Sequence, residues 1–269
     1  MRKSLLTMAV LAAIAAPHLV FAEEAKAEEA KAPYTIAYNV GLYSQYMFRG
    51  LTQTGNGPAV QGGADWTHES GFYLGTWASN IKWLKAAQAY NTSGVEVDLY
   101  GGYRNTIPST EIGYDIGLYQ YLYTGNPVGS DGVTANTMEA TIGLSYQWLS
   151  AKAWVIATKD GLGVQDAQGS YYLELNANYP ILDTGIVAIA HVGRQEFEGS
   201  GAFALSTGCS SNSCLSYTDW KIGATKSWDN GVTVGGYYTD TNVNSALYTD
   251  LSGEQLGNGT FTAYVMKTF

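Results

Sequence analysis

The sequence predicts an all-β fold, a closed antiparallel transmembrane β-barrel of about twelve strands. Three observations lead to this prediction. Apolar and polar residues alternate with period two from Tyr34 onward, which is typical of strands with one apolar face. The connections between these segments are short and long in turn, which is the plan of a bacterial outer-membrane barrel. The sequence also holds 21 Tyr and 7 Trp, which suit the aromatic girdles of such barrels.

The first 33 residues are typical of an export signal followed by a spacer. Residues 1–22 join the basic start "MRK" to a short apolar run and the small-residue ending "VFA", which predicts a cleaved secretory signal peptide. Residues 23–33 repeat "EEAKA" and end at Pro33, a composition typical of a solvated periplasmic spacer, with docking in the periplasm as the alternative. Residues 34–269 form the predicted barrel, and we expect the protein in the outer membrane.

The alternation is clear in the first predicted strand, where Ile36, Tyr38 and Val40 lie on one face and Thr35 and Asn39 on the other. The predicted strands cover residues 34–50, 57–69, 71–81, 94–105, 110–123, 135–149, 150–158, 169–180, 185–196, 215–228, 231–241 and 259–269. Short turns follow the even-numbered strands and long polar loops follow the odd-numbered ones. Both ends of the barrel sequence therefore fall on the short-turn, periplasmic side.

Closure of the sheet follows from the apolar outer face. Lipid can cover such a face only if every backbone donor and acceptor is paired, and a closed barrel has no unpaired edge. A secreted β-sandwich, whose strands also alternate, is the alternative fold. The loop asymmetry, the inward acidic residues and the terminal Phe269 argue against the sandwich.

The chain ends in "FTAYVMKTF", with an aromatic ring in the last position. Strand alternation places the Phe269 ring outward with Phe261, Ala263 and Val265, and we expect Lys267 on the same face to extend toward the lipid headgroups. The ending is similar to the C-terminal signal that the barrel-assembly machinery recognises in outer-membrane proteins. We therefore predict outer-membrane lipid and this machinery as partners, with Phe269 as the assembly signal.

Residues 43–81 read "YSQYMFRGLTQTGNGPAVQGGADWTHESGFYLGTWASNI". The "FRG" segment, the "PAVQG" strand and the "HESGFYLGTWASN" hairpin resemble the TorF family of porins, and the likeness in layout extends to the C-terminus. The resemblance implies an outer-membrane barrel that passes solutes. It implies neither a particular solute nor catalytic residues.

A barrel of about twelve strands encloses a narrow passage, wider than the filled interior of an eight-stranded barrel. Because successive side chains of a strand point to opposite faces, the odd or even position of a residue along its strand predicts whether it lines the passage. The predicted pore-lining residues are Arg49, Glu96, Asp98, Arg104, Glu111, Asp115, Tyr119, Glu139, Glu174, Asp219 and Lys221. Acids outnumber bases in this set, so we expect passage of small neutral or cationic polar solutes.

Three points about the interior stay open at this stage. The charges either line a channel or pair with one another in a plugged barrel. Arg49 either belongs to a solute-binding constriction or pairs with a lumenal acid while Gly50 permits a turn, and the pairing is the favoured reading. The inward run of Tyr119, Tyr121 and Tyr123 is interpreted as packing rather than as a sliding track for sugars or nucleosides.

Composition narrows the other partners. Cleavage after residue 22 removes Arg2 and Lys3 and no acid, which changes the formal charge from −9 to −11, so nucleic acid is not expected as a partner. Cys209 and Cys214 lie in a polar loop of an exported chain and are predicted to form a disulfide. The sequence predicts no cofactor and no metal site.

Two other functions compete with a porin. A barrel enzyme of the phospholipase or protease type would need a His beside a Ser or an acid near a rim. The mature sequence holds only His68, in a tight turn, and His191, whose strand parity is ambiguous, and no nucleophile motif accompanies them. A structural or adhesive barrel that acts through its long loops would insert into the membrane without conducting ions.

Overall fold

The computed structural model describes residues 32–128 and 133–269. It confirms the predicted fold class, because twelve antiparallel strands close into one barrel. The barrel strands are β1 (Tyr34–Tyr43), β4 (Ala59–His68), β5 (Phe72–Asn80), β6 (Val95–Thr106), β7 (Ile112–Tyr123), β8 (Thr137–Tyr146), β9 (Leu149–Ile156), β10 (Tyr171–Ile181), β11 (Ile186–Glu196), β12 (Tyr217–Ser227), β13 (Val232–Thr241) and β14 (Thr260–Thr268). The short strands β2 (Met47–Phe48) and β3 (Leu51–Thr52) pair only with each other. The predicted signal peptide and residues 23–31 lie outside the described residues.

The seam of the barrel joins the first strand to the last. β1 pairs with β4 on one side, where Tyr43 faces Ala59, and with β14 on the other, where Leu42 faces Val265. Every other barrel strand pairs with its neighbours in the sequence order of the barrel strands. Each strand therefore has a partner on both sides, and the sheet has no open edge.

The connections differ at the two ends of the barrel, as predicted. Short turns, including the 3-10 helix η1 (Leu182–Thr184), lie at one end together with the start of β1 and the end of β14, and we call this end the short-turn rim. Long loops form the opposite end, the long-loop rim, and contain α1 (Trp83–Ala86), α2 (Ala202–Ser206) and the 3-10 helix η2 (Asn212–Leu215). The predicted disulfide is present between Cys209 and Cys214 in one of these loops. Within the described residues, no helix has the length and apolarity to cross a membrane.

The two faces of the barrel wall have opposite polarity. Outward side chains are apolar and exposed, as in Leu42 (59% exposed) and Leu74 (62%), whereas inward Glu96 (1%) and Glu139 (0%) are buried. A soluble protein rarely exposes an apolar surface of this extent, because water contact with it is unfavourable. The wall is therefore built for lipid outside and polar groups inside.

Aromatic pairs mark both ends of the apolar band. Near the short-turn rim, the ring centroids of Tyr34 and Trp66 lie 6.3 Å apart, and those of Trp148 and Tyr179 lie 5.5 Å apart. Near the long-loop rim, Trp220 and Tyr238 form a similar pair at 5.7 Å. Rings of this kind suit a membrane interface, since one part of each ring is apolar and another is polar.

The first strand is shorter than predicted. The predicted strand covers 34–50, but β1 ends at Tyr43 and the following residues enter the barrel. Alternation continues through Tyr46 and Phe48, which hides the change of direction in the sequence. The chain reverses at Arg49 and Gly50, both with positive φ (46° and 76°), as a two-residue hairpin turn requires.

The C-terminal residue closes the seam. The Phe269 amide donates to the Tyr38 carbonyl at 2.9 Å, and its ring is exposed on the outer face with Phe261 and Val265. The Lys267 ammonium lies 5.3 Å from the centre of the Phe269 ring. Phe269 thus supplies both a backbone pair at the seam and an apolar ring at the short-turn rim.

We predict that deletion of Phe269 lowers the yield of folded barrel in the outer membrane, because the seam loses a backbone pair and the rim loses its last apolar ring. Heat-modifiable migration of outer-membrane fractions on gels measures this yield. The control Phe269→Leu keeps the backbone pair and an apolar side chain, and should assemble better than the deletion. An undiminished folded fraction in the deletion variant would contradict the role of Phe269.

Candidate functional site

The interior of the barrel is lined with charged side chains. The inward charges within the described residues are the acids Asp65, Glu96, Asp98, Asp115, Glu139, Glu174 and Asp219 and the bases Arg49, Arg104, Lys152 and Lys221. The predicted pore-lining set lacks Asp65 and Lys152, although both follow the alternation of their strands. Glu111 precedes β7 and is exposed at the short-turn rim near Gln147, so its pore-lining position stays a prediction.

A hairpin crosses the interior at the level of the long-loop rim. It consists of β2, β3 and the turn at Arg49 and Gly50, and we call it the inner hairpin (residues 47–52). A side chain at Gly50 would collide with the wall, since an added Cβ would lie 2.5 Å from Thr241 Cγ2 and 2.7 Å from Asp219 Cβ. Glycine is thus required for both the turn and the close contact.

Arg49 fixes the tip of the inner hairpin to the opposite wall. Its two terminal nitrogens donate to the Glu139 carboxylate at 3.0 and 2.7 Å, and one also donates to Gln195 Oε1 at 2.8 Å. Its guanidinium carbon lies 4.3 Å from the centre of the Tyr172 ring. The predicted first strand, 34–50, would end beside Arg49, but the hairpin carries Arg49 into the interior, where it meets β8, β10 and β11.

The base of the inner hairpin is anchored separately. The Tyr46 hydroxyl donates to Glu96 Oε1 at 2.8 Å, and Gln45 Nε2 donates to Thr260 Oγ1 at 2.9 Å. Burial raises the pKa of the Tyr46 hydroxyl, and the neighbouring Glu96 adds to the shift. Tyr46 therefore stays a neutral donor to Glu96 at neutral pH.

His191 lies inside the barrel, which resolves its ambiguous parity. Its Nε2 lies 3.0 Å from Asp219 Oδ1 and 2.9 Å from the Tyr172 hydroxyl, and its Nδ1 lies 2.7 Å from Asn176 Oδ1. Both ring nitrogens are thus held by other side chains. Asn176 also donates to Glu174, so these residues form one polar network along β10, β11 and β12.

A second group of charges pairs nearer the short-turn rim. The Lys152 ammonium lies 3.3 Å from Asp115 Oδ1, and the Tyr73 hydroxyl donates to the same oxygen at 3.2 Å. The Tyr100 hydroxyl donates to Asp65 at 2.7 Å. The Arg104 guanidinium lies over the Tyr73 ring at 4.1 Å. These contacts join β4, β5, β6, β7 and β9 across the inner face of the wall.

The predicted tyrosine run on β7 points inward and packs. The Tyr119 ring stacks on Tyr100 at 4.9 Å and meets the Trp154 ring edge-on at 4.8 Å, and the Tyr121 hydroxyl donates to Glu139 at 3.1 Å. Tyr123 packs against Trp83 of α1. Tyr119 and Tyr121 also border a cavity below the inner hairpin.

This cavity has a volume of about 280 Å³. The inner hairpin covers one side, and the walls mix aromatic rings with polar groups, among them Asp98, Glu174, Asn176, His191 and Lys221. The described part of the chain contains no group of three or more His, Cys, Asp or Glu side chains arranged to hold a metal ion. A small polar solute is the kind of ligand that such a lining suits.

Residues 27–269 match the family model described as "Bacterial protein of unknown function (Gcw_chp)". The chain belongs to the Gcw_chp family. No curated protein matches this Gcw_chp chain in sequence. The likeness of residues 43–81 to the TorF family stays a prediction.

Solved structures similar to this Gcw_chp barrel include porins. The KdgM porin aligns with a TM-score of 0.53 at 9% identity, over 87% of this chain and 99% of that chain. The KdgM porin in complex with disordered oligogalacturonate aligns with a TM-score of 0.50 at 10% identity, over 87% and 98% of the two chains. At this identity the likeness shows a porin-like β-barrel fold.

We predict that Arg49→Met destabilises the barrel by about 3 kcal/mol, because it leaves the buried Glu139 without its cation. Urea unfolding of barrels folded in lipid vesicles measures the loss. Adding Glu139→Gln to this variant should restore part of the stability, since no buried charge is then unpaired. The control is Arg194→Met, which removes a partly exposed pair with Glu196 and should cost under about 1 kcal/mol. Equal stability of the Arg49 and Arg194 variants would contradict the role of Arg49.

Proposed function

We propose that this protein is an outer-membrane channel for passive passage of small polar solutes, with a preference for neutral or cationic ones. The main support for this proposal is the polarity of the barrel, which is the reverse of that of a soluble protein. The apolar outer face needs lipid, and the charged interior holds water. The predicted signal peptide and the terminal Phe269 support export and insertion by the barrel-assembly machinery. The long-loop rim then faces the outside of the cell and the short-turn rim faces the periplasm.

The preference for neutral or cationic solutes follows from the charged side chains that face the interior. Seven acidic and four basic side chains lie among the described inward residues, which is a formal excess of three acids. A confined passage with excess negative charge attracts cations and repels anions. An acidic oligosaccharide such as the oligogalacturonate seen with KdgM is therefore a poor candidate for this chain.

The inner hairpin sets the width of the passage in this proposal. It spans the interior from β1 to Glu139 on β8 and Gln195 on β11, and it borders the cavity. Solutes must pass beside it, which limits both their size and the ionic current. A channel and a partial plug thus coexist in one barrel.

Passive transport without catalysis also fits the structural neighbours, which are porins. His68 lies near the exposed short-turn rim, where its Nδ1 is 2.7 Å from the Ser70 hydroxyl. His191 is held on both nitrogens within the network described above. Neither histidine therefore supplies an argument for a barrel enzyme.

We predict small single-channel currents with cation preference in planar bilayers. The reversal potential under a KCl gradient measures the preference. Asp98→Asn should weaken it, because one negative charge leaves the cavity wall. Asp183→Asn, in the exposed short turn η1, should leave it unchanged. Firm anion selectivity of the natural sequence would overturn the charge argument.

We also predict that shortening the inner hairpin raises the conductance several-fold. Replacement of residues 46–53 by Gly-Gly removes the hairpin, and the ends can still meet, since Tyr43 already pairs with Ala59. Removal of eight residues from another long loop, 246–253, serves as the control. A folded hairpin-deleted barrel with the conductance of the control would contradict the constriction.

A further inference from the structure

Two opposite charges face each other across the cavity. Asp98 lies on β6 and Lys221 lies on β12, and these strands are six places apart in the ring of twelve, which is half of its circumference. Both residues border the same cavity below the inner hairpin. We call them the opposed pair. The two side chains therefore border the cavity from opposite sides of the barrel.

Neither charge of the opposed pair makes an ion pair within the described residues. Asp98 is only 8% exposed, and its Oδ1 is buried with no hydrogen-bond partner among the described residues. The Lys221 ammonium makes no hydrogen bond or ion pair within the described chain, and lies 5.1 Å from the centre of the Tyr237 ring. A buried carboxylate without a partner is costly, so a ligand that supplies donors would relieve the cost.

Nearby acids do not neutralise Lys221 by direct contact. Glu174 accepts from Trp154 Nε1 at 2.8 Å and from Asn176, and Asp219 accepts from Tyr172 at 2.8 Å and contacts His191. These acids are thus satisfied by other groups on their own side of the barrel. The ammonium stays available to a group in the cavity.

The remaining walls are aromatic. Trp77, Tyr119 and Tyr121 border the cavity near Asp98, and Tyr237 and Tyr264 border it near Lys221. Ring faces attract an ammonium group and pack against aliphatic side chains. A volume of about 280 Å³ holds a solute of amino-acid size and excludes an oligosaccharide.

We propose that the cavity binds small zwitterions of the amino-acid class, with the solute ammonium on Asp98 and its carboxylate on Lys221. This inference rests on the proposed channel and names its solute class. A simple cation leaves Lys221 unpaired, and a simple anion leaves Asp98 unpaired beside Glu96. A neutral sugar leaves both charges without a counter-charge. A zwitterion satisfies both at once.

Three matched probes test the inference on the full-length barrel in detergent. Leucine carries both charges, 3-methylbutylamine lacks the carboxylate, and 4-methylpentanoate lacks the ammonium, while the branched alkyl chain is shared. Saturation-transfer NMR titration gives the dissociation constant of each probe. We expect leucine to bind at least about tenfold more tightly than either single-charge probe, as the loss of a charged hydrogen bond implies.

Variants separate the two ends of the site. Lys221→Met should weaken leucine about tenfold and leave 3-methylbutylamine unchanged or tighter, whereas Asp98→Asn should weaken both. The control for the lysine is Lys226→Met, near the short-turn rim of the same strand, where its ammonium donates to the Thr184 carbonyl. The control for the acid is Asp183→Asn. Both controls should bind leucine as the natural sequence does.

Two results would overturn the inference: leucine that binds no better than the amine, or leucine binding that Lys221→Met does not weaken. Binding in detergent does not depend on conduction. A barrel that binds leucine but carries no current in bilayers would overturn the channel and keep this site. A barrel that conducts but does not bind leucine would overturn the site and keep the channel.

Discussion

Closure of the backbone hydrogen-bond ring is the constraint on which the rest of this structure depends. Because β1 pairs with β4 and β14, each barrel strand has two partners and no backbone edge meets lipid. The medium on each side of the wall, lipid outside and water inside, then determines which side chains face it. Apolar residues cover the outside, and the inside can hold charges that a compact soluble core of the same length would exclude.

Those interior charges make the inner hairpin possible. A loop that folds into a barrel brings its own polar groups with it, and they need partners there. Arg49 meets Glu139 and Gln195, and Tyr46 meets Glu96. Gly50 allows the tip to lie directly against Asp219 and Thr241, where any side chain would collide. The hairpin is therefore held by specific contacts at its tip and at its base, which gives the constriction a fixed position.

The sequence predicts the barrel well and its interior only in part, for a physical reason. Alternation reports which face a residue occupies, so all twelve barrel strands and most inward charges follow from local pattern. Alternation does not show where the chain changes direction. Tyr46 and Phe48 alternate and are therefore predicted as strand, although they belong to a loop inside the barrel. His191 lies in "IVAIAHVG", where both faces are apolar, and parity cannot assign it. Contacts such as Arg49 to Glu139 depend on the order of strands around the ring, which local pattern does not contain.

The interior charges differ in how fully the protein satisfies them. Arg49, Lys152 and Asp219 each contact an oppositely charged or hydrogen-bonding side chain, and these contacts join strands or fix the hairpin. Asp98, Arg104 and Lys221 make no side-chain hydrogen bond or ion pair among the described residues, and of these three only Asp98 and Lys221 border the cavity. An unpaired buried charge lowers stability, and an apolar residue of similar size would cost less. Departures from the rules of stable packing are expected where function requires them. The unpaired charges at the cavity therefore mark the part of the wall that is arranged for a solute, and the paired charges mark the part that is arranged for the barrel itself.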